Sequence, residues 1–167
     1  AKIKVIDRHI LPSNLVDNFR KKAFSKQSPM DVMRSELYEG VMCSLDKLID
    51  NQQSIMTITA PTGSGKTLLS LSIALRLRTK LTDQGDPPRI IYCLPFINII
   101  EQTHDVFSRI ITMEESKIDP KVLLKHHHLS IPVLDEEKSL HNALELQESW
   151  DSEIVVTTFV QLMHTLV

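Results

Sequence analysis

The sequence predicts an α/β protein with a mainly parallel sheet and helices on both faces of that sheet. Two observations lead to this fold class. Short β-branched or apolar runs alternate along the chain with segments of helical periodicity, which is the order that strand–helix–strand units produce. The run at 89–94 is also almost continuously apolar, as expected of a parallel strand that is buried on both faces.

Two helices are predicted in the N-terminal part of the chain. The first spans residues 12–24, with Ser13 as its cap and a basic surface run, Arg20-Lys21-Lys22. The second begins at Ser28-Pro29, where a capping serine precedes a proline at the first helical position, and continues to about Ile49. Its apolar positions, which we expect to be buried, are Met33, Leu37, Val41, Leu45 and Leu48.

Four strands alternate with further helices in the rest of the chain. Composition predicts the strands at 54–59, 89–94, 121–125 and 153–157. Apolar residues at helical spacing predict the helices at 66–82, 98–111, 138–150 and 159–166. The segment 131–137 is expected to be a loop, and Trp150 is expected to lie in the core.

Length and composition indicate one globular domain with an N-terminal extension. The chain has 167 residues, of which 42% are apolar and 24% are charged. We expect residues 1–28 to be an extension or a linker from an upstream domain, and residues 29–167 to be the domain itself. Because the chain starts without Met and stops within an apolar helical pattern, we expect it to be a fragment of a longer protein.

Net charge, cysteine positions and hydropathy indicate which partners and which compartment suit the protein. A net charge of −2 argues against binding duplex DNA by bulk charge, so any contact with nucleic acid must be local. Cys43 and Cys93 lie far apart in apolar segments and are expected to be reduced and buried. With neither a bilayer-spanning apolar run nor a signal-peptide core, the sequence predicts a cytoplasmic protein without a membrane partner.

A glycine-rich loop lies between the predicted strand 54–59 and the predicted helix 66–82, with the sequence Ala60-Pro61-Thr62-Gly63-Ser64-Gly65-Lys66-Thr67. Gly63 and Gly65 allow the backbone amides to form an anion-binding nest, to which the helix dipole adds. Lys66 is then placed to contact the β and γ phosphates, and the Thr67 hydroxyl to bind Mg²⁺. The loop therefore predicts binding of ATP and Mg²⁺ by residues 61–67, with Lys66 and Thr67 as catalytic residues. The alternative is a glycine turn followed by an incidental Lys-Thr pair.

Two further segments follow predicted strands, where parallel sheets bind their ligands. The first contains Pro95, Phe96, Asn98 and Gln102, and its backbone amides with the Asn98 side chain can hold a nucleic-acid phosphate. An ordinary strand-to-helix turn is the alternative. The second contains Thr157 and Thr158, whose hydroxyls can contact phosphate or can cap the next helix.

The order and spacing of these three segments resemble motifs I, Ia and Ic of superfamily 2 helicases, and Ala60 in place of the usual glycine resembles the form of the loop in that superfamily. More narrowly, several segments resemble the CRISPR-associated helicase-nuclease of type I interference systems. They are Arg89-Ile90-Ile91-Tyr92-Cys93-Leu94-Pro95-Phe96, Ile99-Ile100-Glu101-Gln102, Leu124-Lys125-His126-His127 and Val155-Val156-Thr157-Thr158-Phe159-Val160-Gln161-Leu162. The resemblance covers about residues 30–167.

This resemblance implies a RecA-like fold and ATP-driven 3′-to-5′ translocation on single-stranded DNA, which unwinds target DNA for degradation. It implies that Pro95, Phe96, Asn98, Gln102, Thr157 and Thr158 contact the DNA backbone. It also implies recruitment by a guide-RNA surveillance complex and an HD nuclease domain supplied in cis or in trans. The glutamine that reads adenine in many helicases is not evident near Arg34-Ser35-Glu36.

Two features that the family needs for ATP hydrolysis are not found in residues 1–167. The acidic motif that binds Mg²⁺ and orients the attacking water is expected beyond Val167, as is the second RecA-like domain. Residues 1–167 alone are therefore expected to bind ATP weakly and to be inactive in hydrolysis.

Other functions remain open from the residues alone. They include another superfamily 2 motor such as an RNA helicase or a restriction translocase, a small-molecule kinase with the same loop, and a nucleotide-binding module without catalysis. A metal site at His126-His127-His128 is disfavoured, because adjacent residues of a strand point to opposite faces. His104-Asp105 matches the dipeptide of HD nucleases, but its helical position favours a solvated face.

Overall fold

The computed structural model describes residues 11–23, 28–51, 54–82, 86–113, 118–127 and 150–166. The chain divides into two compact units. The first, the loop unit, is Leu11–Gly85, and the second, the sheet unit, contains Asp86–Val167. The predicted loop 131–137 and most of the predicted helix 138–150 lie outside the described residues.

The loop unit contains three helices: α1 (Leu15–Ala23), α2 (Pro29–Asp50) and α3 (Lys66–Thr82). Helix α2 begins with a capping box, in which the Ser28 hydroxyl accepts from the Asp31 amide at 3.2 Å and the Asp31 carboxylate accepts from the Ser28 amide at 3.2 Å. The two bonds satisfy amides that a helix start otherwise leaves without partners. The predicted start of α2 and both ends of α3 are confirmed.

Tyr38 joins the three helices of the loop unit. Its hydroxyl donates to the Asp17 carboxylate on α1 at 2.8 Å and is in hydrogen-bond contact with the Ser72 hydroxyl on α3. The Arg20 guanidinium lies over its ring, 3.8 Å from the centroid. Burial raises the pKa of the Tyr38 hydroxyl, and the hydrogen bond to Asp17 adds to the rise. The buried apolar side chains of the loop unit also include Leu15, Val16, Met42, Leu45, Leu69, Leu71 and Leu75.

The buried face of α2 differs from the predicted one. Met33 and Leu48, expected in the core, are exposed, and Cys43 is exposed as well. Leu45 is buried as predicted, but Tyr38 and Met42 take the other core positions. On this face the buried Tyr38 hydroxyl has two polar partners, Asp17 and Ser72, which offset the cost of removing it from water.

The predicted strand at 54–59 is wrong for this structure. The segment has no regular secondary structure, and Ile55 is 84% exposed. A strand exists only through hydrogen bonds to a neighbour, and the described sheet pairs other segments of the chain. The glycine-rich loop 60–67, which we call the phosphate loop after its predicted ligand, is therefore preceded by an irregular segment in the described residues, and it is followed by α3 as expected.

The sheet unit contains β1 (Ile90–Leu94), α4 (Ile97–Ile111), β2 (Leu123–His126), β3 (Ile154–Thr158) and α5 (Phe159–Leu166). Its three described strands are all parallel and follow the order β1-β3-β2. The central strand β3 is buried, whereas β1 lies at an edge and leaves Ile91 exposed. Burial on both faces, expected of 89–94, is therefore found in β3 and not in β1.

Helices cover both faces of this sheet. Tyr92, Val156 and Lys125 are register partners and share a face. That face meets α4, because the Tyr92 ring packs edge-on against Phe107 with centroids 5.2 Å apart. On the opposite face, Leu162 of α5 packs against a cluster of Leu124, Trp150 and Val155. The predicted fold class is thus confirmed, as is the core position of Trp150. None of the helices described above has the length and apolar character of a transmembrane segment.

Candidate functional site

The phosphate loop has the backbone geometry that its glycines predict. Gly63 and Gly65 have φ angles of 79° and 86°, in the left-handed region that side chains disfavour. A Cβ at either position would meet no atom within 4 Å, so the need for glycine comes from the backbone angle. Both residues border open space. Because the Leu69 amide makes a helical bond to the Gly65 carbonyl at 3.0 Å, the amides just before it form the uncapped first turn of α3.

Lys66 folds back over the loop. Its ammonium donates to the carbonyls of Ala60 and Pro61 at 2.8 and 2.9 Å. The side chain is otherwise exposed. Phosphate oxygens are charged acceptors and bind an ammonium more strongly than neutral carbonyls do. Lys66 is thus placed beside the loop with a cation that a triphosphate can recruit.

Ser64 offers a second donor. The residue is 4% exposed, and its hydroxyl has no hydrogen-bond partner within the described parts of the chain. A buried hydroxyl left in this state costs roughly 1–3 kcal/mol, so a ligand oxygen that accepts from it stabilises the loop. Pro61, Thr62 and Gly63 are exposed, and Thr67 is half-buried at the second residue of α3. These residues fit the predicted triphosphate, for whose Mg²⁺ Thr67 is the hydroxyl ligand expected from the sequence.

Arg34 of α2 also contacts the loop, and the sequence patterns did not reveal this contact. Its Nε donates to the Gly63 carbonyl at 2.9 Å, and its Nη1 donates to the Asp31 carboxylate at 3.2 Å. The hydrogen bonds from Ser28, followed by the charge of Arg34, lower the pKa of Asp31. The signal in the sequence was the Asp31–Arg34 spacing of three residues, which places an ion pair on one helix face. Nothing in the sequence pointed from that pair to residue 63.

A groove of about 1150 Å³ borders the loop at Ser64 and Gly65. Helices α1 and α2 form much of its wall, which includes Arg20, Arg34 and Tyr38. The wall combines charged side chains with apolar ones such as Met42 and Leu68, and the Arg20 guanidinium covers the Tyr38 ring.

The second predicted site lies in the sheet unit, at the carboxyl end of β1. Pro95, Phe96, Asn98 and Gln102 are all exposed there, Phe96 at 63%. Phe96 is the N-cap residue of α4 and has no side-chain acceptor for the first-turn amides. The Asn98 carboxamide oxygen accepts from the Ile99 amide at 3.1 Å. The turn thus presents amides and amide side chains to solvent, as a phosphate contact requires.

The two threonines of β3 have different environments. Thr158 pairs in register with Leu94, so it lies beside Pro95 where the carboxyl ends of the parallel strands meet. Its hydroxyl accepts from the Gln161 amide at 3.0 Å and so caps α5, one of the two roles expected for it. Thr157 is 0% exposed, and its hydroxyl has no partner among the residues described. In this conformation the Thr157 hydroxyl therefore does not reach the surface at which DNA was expected.

A network of charged side chains lies at the same carboxyl ends of the strands. It was not identified from the sequence. The Lys125 ammonium donates to one Glu101 oxygen at 2.6 Å, and the His127 Nε2 lies 3.0 Å from the other. These hydrogen bonds, led by the one from Lys125, lower the pKa of Glu101. The network joins the start of α4 to the end of β2, so it positions the exposed turn at 95–98.

The histidines of the sheet unit have separate surroundings. His126 packs its ring against Trp150, with centroids 5.1 Å apart, while the adjacent His127 contacts Glu101. Burial lowers the pKa of both His126 and His104. A solvated face was expected for His104-Asp105, and it is found for Asp105, whereas the His104 side chain is half-buried. His128 lies outside the described residues.

Comparison with known proteins agrees with this architecture. The family model described as type III restriction enzyme, res subunit, matches residues 32–166. The chain is also 40% identical, over an alignment of 129 positions, to the CRISPR-associated nuclease/helicase Cas3 of Haloferax volcanii. That alignment covers 68% of this chain and 13% of the Haloferax protein, so the chain spans only a small part of the length of this relative. The chain therefore belongs to the type III restriction enzyme res subunit family, a family of RecA-like superfamily 2 helicase domains.

Proposed function

We propose that the chain is the ATP-binding half of an ATP-dependent DNA helicase that moves 3′-to-5′ on single-stranded DNA. In this proposal it unwinds target DNA for degradation in type I CRISPR interference. The observation that carries the proposal is the phosphate loop. Two left-handed glycines, an exposed lysine ammonium and a helix start converge there on open space.

Each loop residue has a role in this proposal. The amides of residues 63–67 bind phosphate oxygens, with Pro61 and Thr62 shaping the turn and Ser64 donating its hydroxyl. Lys66 leaves the Ala60 and Pro61 carbonyls for the β and γ phosphates. Thr67 binds Mg²⁺, which neutralises the phosphate charge when it is bound.

The exposed turn of the sheet unit is proposed to hold the DNA backbone. Pro95, Phe96, Asn98 and Gln102 supply its surface, and Thr158 adds the sheet edge beside them. Thr157 supports that edge from within and reaches DNA only if the edge rearranges. With a net charge of −2, contact through this turn replaces attraction by bulk charge.

The similarity to a protein named CRISPR-associated nuclease/helicase Cas3 supports the proposed partners. They are single-stranded DNA, a guide-RNA surveillance complex and an HD nuclease domain in cis or in trans. The cytoplasm is the proposed compartment. The family description also favours a second candidate, a restriction translocase, which uses the same loop but is not recruited by a guide RNA.

ATP hydrolysis by the intact protein tests this proposal. We expect single-stranded DNA to stimulate the ATPase, RNA to have little effect, and Lys66→Ala to abolish the activity. Lys47→Ala removes an exposed cation from α2 and serves as the matched control. Equal stimulation by RNA, or a Lys66→Ala variant with unchanged hydrolysis, contradicts the proposal. Stimulation by duplex DNA without any dependence on a guide-RNA complex favours the restriction translocase.

A further inference from the structure

Arg34 holds the central peptide of the phosphate loop from outside the loop. The carbonyl of the Gly63–Ser64 peptide accepts from the Arg34 Nε at 2.9 Å. The amide of the same peptide donates to the Pro61 carbonyl at 3.3 Å, which is a long bond. The stronger of the two anchors on this peptide is therefore a side chain 29 residues away in sequence.

The anchor matters because the other side-chain bonds to the loop must break. The Lys66 ammonium holds the Ala60 and Pro61 carbonyls, and the same ammonium is needed on the triphosphate. Once it moves, the loop loses two internal bonds at the moment when its amides must keep their direction. The Arg34 bond to Gly63 does not compete with a phosphate for Lys66, so it can persist through binding.

Arg34 is itself fixed before any ligand arrives. The Asp31 carboxylate divides its oxygens, giving Oδ1 to Arg34 at 3.2 Å and Oδ2 to the Ser28 hydroxyl at 2.7 Å. An arginine can serve both Asp31 and Gly63 because its donors form a rigid planar fork. A lysine has one ammonium on a flexible stem and no such fork. Asp31, which the Ser28 backbone amide also holds at 3.2 Å, thus fixes one donor of Arg34, while another donor reaches the left-handed glycine of the loop.

We propose that Arg34 is a positioning residue for nucleotide binding, which acts by holding the Gly63–Ser64 peptide in its anion-binding orientation. This inference rests on the proposed ATP-binding function of the loop. It assigns no contact between Arg34 and the triphosphate. Its consequence is a specific pattern: loss of Arg34 weakens ATP binding and leaves the chemical step of bound ATP nearly unchanged.

The test is Mg·ATP binding and steady-state hydrolysis by the intact protein and two substitutions, Arg34→Ala and Arg34→Lys. We expect Arg34→Ala to raise the Kd and the KM for ATP about tenfold, corresponding to about 1.4 kcal/mol. The kcat at saturating ATP stays within about twofold. Arg34→Lys keeps the charge but not the fork, so it recovers at most a minor part of the affinity. Full recovery with lysine, or a kcat that falls more than the affinity, overturns the proposal.

Ser28→Ala separates positioning from general stability of α2. It removes the cap hydroxyl, lowers the melting temperature, and leaves the Arg34–Gly63 bond in place. We expect its ATP affinity to remain within about twofold of the wild type. If Ser28→Ala weakens ATP binding as much as Arg34→Ala does, Arg34 acts only through helix stability. If ATP binds and depends on Lys66 but not on Arg34, this inference fails alone; if Lys66→Ala changes nothing, the proposed function fails first.

Discussion

The phosphate loop and the exposed turn at 95–98 are held in different ways. The loop depends on backbone angles and carbonyl contacts, most of which lie within a few residues of one another. The turn depends on the network in which Glu101 contacts Lys125 and His127, which lie 24 and 26 residues from it in sequence. A short motif is therefore enough to predict the phosphate loop. The exposed turn cannot be predicted in this way, because it depends on the packing of α4 against the sheet.

Apart from the loss of Lys66, glycine substitutions give the largest expected effect, and they distinguish the cost of the backbone angle from the cost of fitting a Cβ. Gly40 and Gly65 both have room for a Cβ, but Gly65 has a left-handed φ of 86° and Gly40 lies within α2. Gly65→Ala is expected to cost about 1–2 kcal/mol of strain, and so to weaken ATP binding roughly tenfold. Gly40→Ala is expected to stabilise the helix by about 0.5–1 kcal/mol without changing ATP binding. Thermal unfolding and Mg·ATP titration of both variants test this, and equal effects contradict it.

Removal of the Glu101 carboxylate is expected to have the next largest effect, on the other site. Glu101→Ala leaves the buried His127 ring and the Lys125 ammonium without this acceptor. Because Glu101 is partly exposed and water replaces some of the lost interaction, the expected cost is about 1 kcal/mol. Stimulation of ATP hydrolysis by single-stranded DNA should fall severalfold, with ATP affinity unchanged. Loss of ATP affinity in this variant contradicts the separation of the two sites.

Thr158 tests whether a hydroxyl at the sheet edge caps a helix or also binds DNA. Thr158→Ala removes the cap of α5 and is expected to destabilise the protein by about 1 kcal/mol. Since the hydroxyl already accepts from Gln161, we expect single-stranded DNA affinity to change less than threefold. Thr158→Ser keeps the hydroxyl and should restore stability. A tenfold loss of DNA affinity in Thr158→Ala, with normal melting, makes phosphate contact its main role.

The smallest expected effect is the pH dependence of the Glu101 network. Its hydrogen bonds, led by the one from Lys125, hold the pKa of Glu101 in the folded protein below the ordinary value of a glutamate carboxyl group. The folded state thus binds the proton less readily than the unfolded state, so the contribution to stability is fully present above that value. It is lost as the pH falls through the lower, folded-state pKa. The difference in unfolding free energy between the wild type and Glu101→Gln should shrink over this range, and a difference that grows on acidification contradicts the assignment.

Local patterns predicted much of the fold and of the loop. The capping role of Ser28, both ends of α3 and the left-handed glycines follow from residues close in sequence. Residue spacing also predicted the parallel sheet and the start of α5, because alternating strands and helices leave few other arrangements.

Long-range contacts account for what the patterns missed. The segment 54–59 has strand composition, but composition cannot supply a neighbouring strand. The spacing of apolar residues in α2 did not predict that Tyr38 is buried, because the partners of its hydroxyl lie on other helices. The contact of Arg34 with Gly63 and the burial of Thr157 depend on how elements pack, which no spacing within one segment encodes.

Equilibrium titration of the intact protein with Mg·ATP, for the wild type and for Lys66→Ala, distinguishes an ATP site at this loop from a glycine turn with an incidental lysine. We expect saturable binding by the wild type and a loss of affinity of at least a hundredfold in the variant, because the ammonium is the main cation of the loop. Lys47→Ala should bind like the wild type. Binding of equal strength in the wild type and in Lys66→Ala, or no binding by either, would contradict the assignment of this loop as the ATP site.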